Sequence, residues 1–478
     1  MFRVFAVVAA LVLYVPIAAS LQTPATAGRP NVVLIMADDM GYGDLSSYGA
    51  TDIRTPNIDG IGRDGIRLTD FYANGVLCSP TRAALIMGRY QHRYAVETVL
   101  GGQGSRGLIV TGRSFPQLLK RNGYATGLVG KWHLGGTPEV SANAHGFDYF
   151  FGFLAGFIDH WQHDRGPAQP DLWENDKAIT EGGYMTDLIT ARSIRFIEQN
   201  ATRPFFIDVA YNAPHWPYQQ PDRPSVAREN ARHLLPHDNP TSTRADYVAM
   251  VERLDQGVGD ILRTLDRLKL SDNTIVIFTN DNGGEWLSNN SPFTGHKETV
   301  WEGGIRVPAL MRWPGRIPTG RVSDQVGITM DLTASILAAT NTPVPAETRL
   351  EGVNLFPILE GRSPESERTL FWRAPNLTQR AVRSGDWKVL VAGTHTMVFN
   401  LRSDPGERSD LARGRQDVAQ RLRPLLAEWE RDVEREAAVN VPGVVNAPGG
   451  GRGAGGRGGA PAGGGRGPVA PVPAPPPR

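Results

Sequence analysis

The chain has 478 residues and a formal net charge of +1, because 50 lysines and arginines are balanced by 49 aspartates and glutamates. This balance gives no support for nucleic-acid binding, which requires a basic surface. The length allows one large hydrophobic core and a small additional domain. Cys78 is the single cysteine, so it cannot form a disulfide within the chain. It is therefore either a small buried hydrophobic residue or a group kept for its reactivity.

The two ends of the chain differ in composition from the middle. Residues 1–20 contain Arg3, then an apolar run, and end at Ala18-Ala19-Ser20, which is the pattern of a signal peptide. The apolar run is too short to favour a membrane span, although a signal anchor is the alternative. We therefore expect export to a periplasmic or extracellular space without stable membrane insertion. Residues 441–478 are rich in Gly, Pro and Arg and predict a disordered tail.

Four short apolar runs in the middle of the chain each end in polar residues. A continuous apolar run of this length is typical of a strand that is buried on both faces. The runs and the polar clusters that follow them are 31–37 with Asp38-Asp39, 125–130 with Lys131-Trp132-His133, 205–210 with Tyr211-Asn212-Ala213-Pro214-His215, and 274–279 with Asn280-Asp281-Asn282-Gly283-Gly284.

Between these runs, apolar residues recur with helical spacing. The two clearest stripes are Val251, Leu254, Val258, Ile261, Leu265 and Leu268, and Leu188, Ala191, Ile194 and Ile197. Strands that alternate with helices predict an α/β fold, a mostly parallel sheet flanked by helices. Because ligands of such sheets bind beyond the carboxyl ends of the strands, we expect the four polar clusters to form one site.

A different pattern begins near Thr369. Residues 381–391 predict a hairpin, and residues 397–401 predict a further strand. A closing helix, interrupted or kinked at Pro424, is predicted by the stripe Val418, Leu422, Leu425 and Trp429. We therefore predict a catalytic domain over residues 29–365 and a smaller antiparallel α+β subdomain over residues 366–440.

The acidic clusters offer oxygen ligands only, from Asp38, Asp39, Asp281 and Asn282. Adjacent carboxylates repel each other, and a polyvalent cation relieves that repulsion. Oxygen ligation suits a hard ion, Ca²⁺ with Mg²⁺ as the second choice, rather than zinc. Taken alone, Asp38-Asp39 is also compatible with a helix cap, and residues 281–284 are compatible with a turn.

Several basic residues are candidates for the same site: Arg82, Lys131, His133, His215 and Lys297. A lone lysine is usually solvated, and a lone histidine is more often structural than catalytic. One hard cation surrounded by several fixed positive side chains, however, suits an oxyanion ester. The metal polarises one ester oxygen, and the side chains stabilise the charge that develops on the others.

The segment Leu77-Cys78-Ser79-Pro80-Thr81-Arg82 resembles the signature of the type I sulfatases, Cys-x-Pro-Ser/Thr-Arg. The resemblance extends over about residues 29–433, and residues 41–45 and 51–59 are most similar to arylsulfatases and N-acetylgalactosamine-6-sulfatases. It implies an alkaline-phosphatase-like fold. The other matching segments are Ala37-Asp38-Asp39-Met40-Gly41, Gly130-Lys131-Trp132-His133-Leu134-Gly135, Asn212-Ala213-Pro214-His215, Asp281-Asn282-Gly283-Gly284, Lys297, and Trp301-Glu302-Gly303-Gly304-Ile305-Arg306-Val307-Pro308.

The resemblance implies a sulfatase, which hydrolyses a sulfate ester to an alcohol and inorganic sulfate. In this family the signature cysteine, here Cys78, is converted by a formylglycine-generating enzyme to formylglycine, whose hydrate is the nucleophile. Residue 78 also completes a metal shell whose other ligands match Asp38, Asp39, Asp281 and Asn282. The resemblance also implies roles for the other residues. Arg82 and Lys131 hold the hydrate, and His133 is the base of the elimination step. His215 and Lys297 contact the sulfate and the leaving oxygen.

Two other classes of function stay open from the residues alone. A metal-dependent phosphatase or phosphodiesterase shares the fold but normally has a Ser or Thr nucleophile and His ligands. A non-catalytic carbohydrate-binding or scaffold protein does not need the whole set of cations. For a sulfatase, we expect a sulfated carbohydrate or an aryl sulfate as substrate. Residues 157–163 are either a wall of its binding site or an ordinary packed loop, and the other candidates to contact it are Tyr211, Trp216 and Tyr218.

Overall fold

The computed structural model describes residues 28–166, 169–223, 242–375 and 378–442. The predicted signal peptide over residues 1–20 lies outside the described residues, as does the predicted tail from residue 443 onwards. Within the described ranges, none of the helices combines the length and the apolar character that a membrane crossing requires.

The strands and helices of the described residues alternate over most of the chain. The strands are β1 (Asn31–Ala37), β2 (Ile66–Leu68), β3 (Phe71–Tyr72), β4 (Ala125–Lys131), β5 (Tyr149–Phe153), β6 (Trp173–Glu174), β7 (Lys177–Ala178), β8 (Phe205–Ala210), β9 (Thr274–Asn280), β10 (Ala309–Arg312), β11 (Arg321–Ser323), β12 (Gly327–Ile328), β13 (Thr369–Arg373), β14 (Gln379–Ser384), β15 (Trp387–Ala392) and β16 (His395–Asn400). The helices are α1 (Pro56–Arg63), α2 (Cys78–Met87), α3 (Phe115–Arg121), α4 (Met185–Gln199), α5 (Arg244–Arg267), α6 (Glu302–Ile305), α7 (Thr329–Ala339), α8 (Phe356–Leu359) and α9 (Gln416–Asn440).

The main sheet has ten strands in the order β11-β2-β10-β9-β1-β8-β4-β5-β6-β7. Its centre, from β9 to β5, is parallel, and antiparallel pairs occur where β10 joins β9 and where β6 joins β5. The four apolar runs that the sequence predicted as strands are β1, β4, β8 and β9, which lie side by side. The mostly parallel α/β architecture is therefore confirmed.

The register of the central strands aligns their carboxyl ends. Ala37 at the end of β1 lies opposite Asn280 at the end of β9, and Met36 lies opposite Ala210 at the end of β8. Gly130, one residue before the end of β4, also pairs with Ala210. The residues that follow these four strands therefore emerge at one edge of the sheet.

Both faces of the central sheet are covered, which explains why its strands are apolar without interruption. In β1, alternate residues enter two different cores because side chains of a strand alternate between faces. Val32, Leu34 and Met36 pack on the side of α2, α3 and α7, whereas Val33 and Ile35 pack on the side of α1, α4 and α5.

The two predicted helical stripes have different outcomes. Five of the six stripe residues in α5 are buried, so that stripe is confirmed. The stripe in α4 is confirmed in part: Ile197 is buried, and Leu188 and Ile194 are partly buried against the same core, whereas Ala191 is exposed.

The C-terminal strands β13 to β16 form a separate antiparallel sheet, as the sequence predicted, and α9 packs against it. The predicted interruption at Pro424 is wrong, since α9 is continuous through it. Pro424 lies on the exposed side of the helix, where water satisfies the carbonyl that the missing N–H leaves free. The buried stripe also contains Leu426 instead of Leu425.

Candidate active site

The ten residues predicted for the site converge at the carboxyl edge of the main sheet. Four segments place most of them there: 38–39 after β1, 131–133 at the end of β4, 212–215 after β8 and 281–282 after β9. Helix α2 brings Cys78 and Arg82 to the same place. All ten side chains are buried, which removes their charges from bulk water and strengthens their interactions.

The spacing of the signature follows from the geometry of α2. Cys78 is the first residue of the helix, and Arg82 lies four residues later on the same face. Pro80 lies in the first turn, where a backbone N–H has no helical acceptor, so its ring costs no hydrogen bond. Thr81 accepts the backbone N–H of Gly75 and fixes the segment that enters the helix.

Each of the three acidic side chains is paired with one cation. The Lys131 ammonium lies 2.6 Å from Asp38 Oδ2, and the Lys297 ammonium lies 2.6 Å from Asp39 Oδ2. Arg82 donates from Nε at 3.1 Å and from Nη2 at 2.8 Å to Asp281 Oδ2. In all three pairs the cation uses Oδ2 of its carboxylate.

Two of the remaining oxygens lie beside Cys78, and one of them, Asp39 Oδ1, also accepts a hydrogen bond from the Asn282 side-chain amide at 2.7 Å. Asp38 Oδ1 lies 3.5 Å from Cys78 Sγ, and Asp39 Oδ1 lies 3.9 Å from it. Asp281 Oδ1 accepts only a long bond, 3.4 Å, from the backbone N–H of Asp39. Asn282 Oδ1 is buried and has no hydrogen-bond partner among the described residues.

This arrangement fits a hard cation. A buried carbonyl oxygen without a partner costs roughly 1–3 kcal/mol, and a metal ion removes that cost for Asn282. One ligand atom each from Asp38, Asp39, Cys78 and His215 lies within 4.8 Å of the others. The two carboxylates of this cluster and the unpartnered amide oxygen of Asn282, whose Nδ2 donates to Asp39, are donors that Ca²⁺ and Mg²⁺ prefer.

The pKa values of the two adjacent carboxylates are shifted in opposite directions. Burial raises the pKa of Asp38 well above its usual range, and the neighbouring carboxylates of Asp281 and Asp39 raise it further against Lys131. Asp39 is also buried, but the Lys297 ammonium and His215 beside it hold its pKa below the usual range. The two adjacent carboxylates thus differ in proton affinity, because the charges of Asp281 and Asp39 add to the effect of burial on Asp38, whereas positive neighbours outweigh burial at Asp39.

The neutral groups of the site are shifted mainly by burial. Burial raises the pKa of the Cys78 thiol well above its usual value, and the charge of Asp281 adds to this shift. Burial lowers the pKa of His133 well below its usual value, and Lys131 lowers it further. The pKa of His215 is lowered by burial against the opposing charge of Asp39. At neutral pH the thiol is therefore protonated and both imidazoles are uncharged.

The tautomer of His215 follows from its partners. Nδ1 lies 2.6 Å from the carbonyl oxygen of Trp216, which can only accept, so Nδ1 carries the proton. Nε2 lies between Asp39 Oδ2, at 3.3 Å, and the Lys297 ammonium, at 3.5 Å, from which it can accept a proton. Lys297 thus has three acceptors within reach: Asp39 Oδ2, His215 Nε2 and, at 3.2 Å, Glu285 Oε2.

Several contacts and backbone conformations that hold the site were not predicted from the sequence. Asn280 accepts the backbone N–H of Met40 and donates to its carbonyl, which clamps the turn after β1. Ser79 donates to the carbonyl of His133 at 2.8 Å. Asp39 and His133 have φ angles of 61° and 54°, in the left-handed region that is unfavourable for side chains other than glycine. Asn280 is the last residue of β9, and its position directly before Asp281 was the one feature of the sequence that indicated a supporting role.

Comparison with known proteins places the chain in a family. Residues 30–342 match the family model described as Sulfatase, and residues 295–432 match the model described as N-sulphoglucosamine sulphohydrolase, C-terminal. The N-acetylgalactosamine-6-sulfatase of Canis lupus familiaris is 32% identical over 481 residues, covering 87% of this chain and 88% of the relative. Arylsulfatase G of Homo sapiens is 30% identical and covers 85% of this chain and 88% of the relative.

A solved structure supports the same assignment. The crystal structure of Ps i-CgsB in complex with k-i-k-neocarrahexaose has a TM-score of 0.75 and 30% sequence identity, and it covers 83% of this chain and 92% of its own. The fold is the alkaline-phosphatase-like fold of sulfatases, and the metal-dependent phosphatase alternative is not favoured. With the family model matching most of the chain, this protein belongs to the sulfatase family and is a sulfuric ester hydrolase.

Proposed function

We propose that this sulfatase removes sulfate from a carbohydrate, with formylglycine at residue 78 and one Ca²⁺ ion (Mg²⁺ as second choice) at the carboxylate cluster. The observation that carries the proposal is that the two oxygens of each carboxylate have different contacts. Asp38, Asp39 and Asp281 each give Oδ2 to a cationic side chain, and Oδ1 of Asp38 and of Asp39 lies 3.5 Å and 3.9 Å from Cys78 Sγ.

The metal ligands in this proposal are Asp38, Asp39, Asp281, Asn282 and residue 78. When bound, the ion acts as a Lewis acid on a sulfate oxygen and helps to ionise a hydroxyl at residue 78. The unpartnered Oδ1 of Asn282 supports this ligand set. His215 lies within 4.8 Å of the same cluster, and its Nε2 is 3.3 Å from Asp39 Oδ2 and 3.5 Å from the Lys297 ammonium. In this proposal it contacts the substrate and is not a metal ligand.

The proposed conversion of Cys78 accounts for a thiol that is otherwise poorly suited to catalysis. The thiolate is the nucleophilic form of cysteine, and burial among carboxylates disfavours it here. A formylglycine-generating enzyme is the proposed maturation partner. An aldehyde hydrate at residue 78 supplies two hydroxyls, one for attack on sulfur and one for the later release of sulfate.

The fixed cations bind and orient the reacting groups. Lys131 is paired with Asp38 and Arg82 with Asp281, and burial keeps both pairs rigid. Their positive charge favours an ionised oxygen at residue 78. Arg82 also donates to the carbonyl of Lys131, so the position of one cation depends on the other.

The two histidines and Lys297 move protons in this proposal. His133 is uncharged, and its Nδ1 has no partner in the described part of the chain, so the ring can accept a proton from residue 78. Lys297 carries protons at the opposite side, and its weakest contact is the 3.5 Å approach to His215 Nε2. The leaving oxygen of the ester replaces that contact and receives a hydrogen bond from Lys297.

The carbohydrate assignment is supported by the names of similar proteins. The relatives include an N-acetylgalactosamine-6-sulfatase, and the matched crystal structure contains an oligosaccharide. Export by the sequence at residues 1–20 belongs to the same proposal, because it gives access to glycans outside the cytoplasm. The proposal also includes the division of the chain into a catalytic domain at 29–365, a subdomain at 366–440 and a tail at 441–478.

The proposal is tested with the full enzyme expressed together with a formylglycine-generating enzyme. A panel of sulfated saccharides, aryl sulfates and phosphate monoesters is assayed for release of sulfate or phosphate, with mass spectrometry of the peptide 76–82. We expect sulfate release, loss of the Cys78 sulfur, and dependence on Ca²⁺. Activity on aryl sulfates alone contradicts the carbohydrate assignment, and full activity with an intact thiol contradicts the formylglycine assignment.

A further inference from the structure

A fourth carboxylate lies at the edge of the site, beyond the metal cluster. Glu285 follows Gly284, and its Oε2 lies 3.2 Å from the Lys297 ammonium. The same oxygen accepts the indole N–H of Trp216 at 3.3 Å, and Oε1 accepts the indole N–H of Trp286 at 3.1 Å. The Glu285 side chain is 23% exposed, so it is open to a ligand while being fixed on one side.

The two tryptophans that Glu285 holds are both accessible. Trp286 is 60% exposed, although a large apolar side chain in contact with water gains little from folding. Its backbone has a φ of 46°, in the left-handed region, which is costly for a bulky residue. Trp216 is half-buried, and its ring lies 4.8 Å from that of His215 and 4.5 Å from that of Phe157.

Phe157, Trp216, Glu285 and Trp286 together form a surface that we call the Glu285 wall. It begins next to Lys297 and His215, the residues that face the leaving oxygen of the ester. A leaving group attached to a bound sulfate therefore lies next to this wall. Aromatic rings that are accessible on one face pack well against the apolar face of a sugar ring.

The charge of Glu285 restricts what such a sugar can carry. A carboxylate accepts hydrogen bonds from hydroxyl and amide groups, and it repels sulfate and carboxylate groups. Lys297 does not neutralise it fully, because the same ammonium lies closer to Asp39. The wall therefore favours a ring whose substituents near the ester are uncharged donors.

We propose that the Glu285 wall binds the sugar ring that carries the ester, and that Glu285 selects a ring with a free hydroxyl beside the ester over one with a second sulfate there. This inference rests on the proposed carbohydrate sulfatase function. Glu285 acts on specificity by touching the substrate, whereas Lys297 and His215 act on the leaving oxygen.

The test compares Glu285→Gln with the parent enzyme on three substrates. These are a monosulfated monosaccharide with a free hydroxyl next to the ester, the matching vicinal disulfate, and 4-nitrophenyl sulfate, which has no hydroxyl. We expect kcat/KM for the monosulfate to fall roughly tenfold to a hundredfold more than that for 4-nitrophenyl sulfate, since one charged hydrogen bond is lost. The preference for monosulfate over disulfate falls by roughly tenfold or more.

Two further variants separate recognition from disturbance of Lys297. Glu298→Gln removes an exposed carboxylate one residue from Lys297 and is expected to leave all three rates unchanged. Trp286→Ala raises KM for the monosulfate more than KM for 4-nitrophenyl sulfate. An equal fall on all three substrates in Glu285→Gln means that the residue only positions Lys297, and it overturns the inference. A parent enzyme that cleaves no saccharide overturns the proposed function itself.

Discussion

Gly156 lies against the imidazole of His133, and a larger residue does not fit without moving that ring. An ideal Cβ at residue 156 lies 2.6 Å from His133 Cε1 and 2.7 Å from Nε2. Nonbonded carbon atoms normally approach to about 3.5 Å, so the ring must shift by roughly 1 Å. Misplacement of a reacting group by about 1 Å costs about a hundredfold in rate. We therefore expect Gly156→Ala to lower kcat about a hundredfold, equivalent to about 2.7 kcal/mol in the barrier.

The matched control is Gly182→Ala, because a Cβ at residue 182 meets no atom within 4 Å. Both variants are assayed for kcat and KM on 4-nitrophenyl sulfate, with thermal unfolding and metal content measured in parallel. We expect the control to keep the parental kcat and Gly156→Ala to keep its fold and metal. A folded Gly156→Ala enzyme with kcat within about threefold of the parent refutes the role of the His133 ring as a placed proton acceptor.

Three other outcomes follow from the site and the core. Cys78→Ser is expected to react once and retain sulfate on the serine, seen by mass spectrometry of the intact protein; steady turnover contradicts the need for a second hydroxyl. Asp281→Ala is expected to lose bound Ca²⁺ and activity while remaining folded, and stoichiometric zinc in the active parent contradicts the ion assignment. Burial lowers the pKa of His145 to about 4, so the unfolded chain takes up its proton first as pH falls. The contribution of His145 to the free energy of unfolding is therefore complete above about pH 6.5, and about 3 kcal/mol of it is lost as the pH falls to 4. We expect the free energy of unfolding of His145→Gln to fall less over the same pH range.

The central strands could be predicted because their burial is complete. In β1 and β8, both faces are covered, so an uninterrupted apolar run indicates the strand and its end at the same time. Half-buried helices carry a weaker signal. In α9, Leu425 and Leu426 are both compatible with helical spacing from Leu422, and only the packing against the C-terminal sheet decides that Leu426 is buried.

The support of the site could not be predicted, because it depends on contacts between distant segments. Gly156 belongs to a loop after β5, and nothing in its local sequence indicates the His133 ring against it. Glu285 lies in a segment that resembles a turn, and its pairing with Trp216 arises only when β8 and β9 end at the same edge of the sheet. Residue types with chemical function are visible in a sequence, whereas the groups that fix their position are common residues in unremarkable surroundings.

The charge of the whole site connects the metal to the choice of substrate. The carboxylates of Asp38, Asp39, Asp281 and Glu285 outnumber the permanent cations Arg82, Lys131 and Lys297 by one. Burial raises the pKa of Asp38, and the neighbouring carboxylates of Asp281 and Asp39 raise it further. A bound divalent cation changes the net charge of these groups from −1 to +1, which matches the single negative charge of a sulfate monoester. A phosphate monoester carries nearly two negative charges at neutral pH, so the fourth carboxylate, Glu285, makes the site better balanced for sulfate than for phosphate.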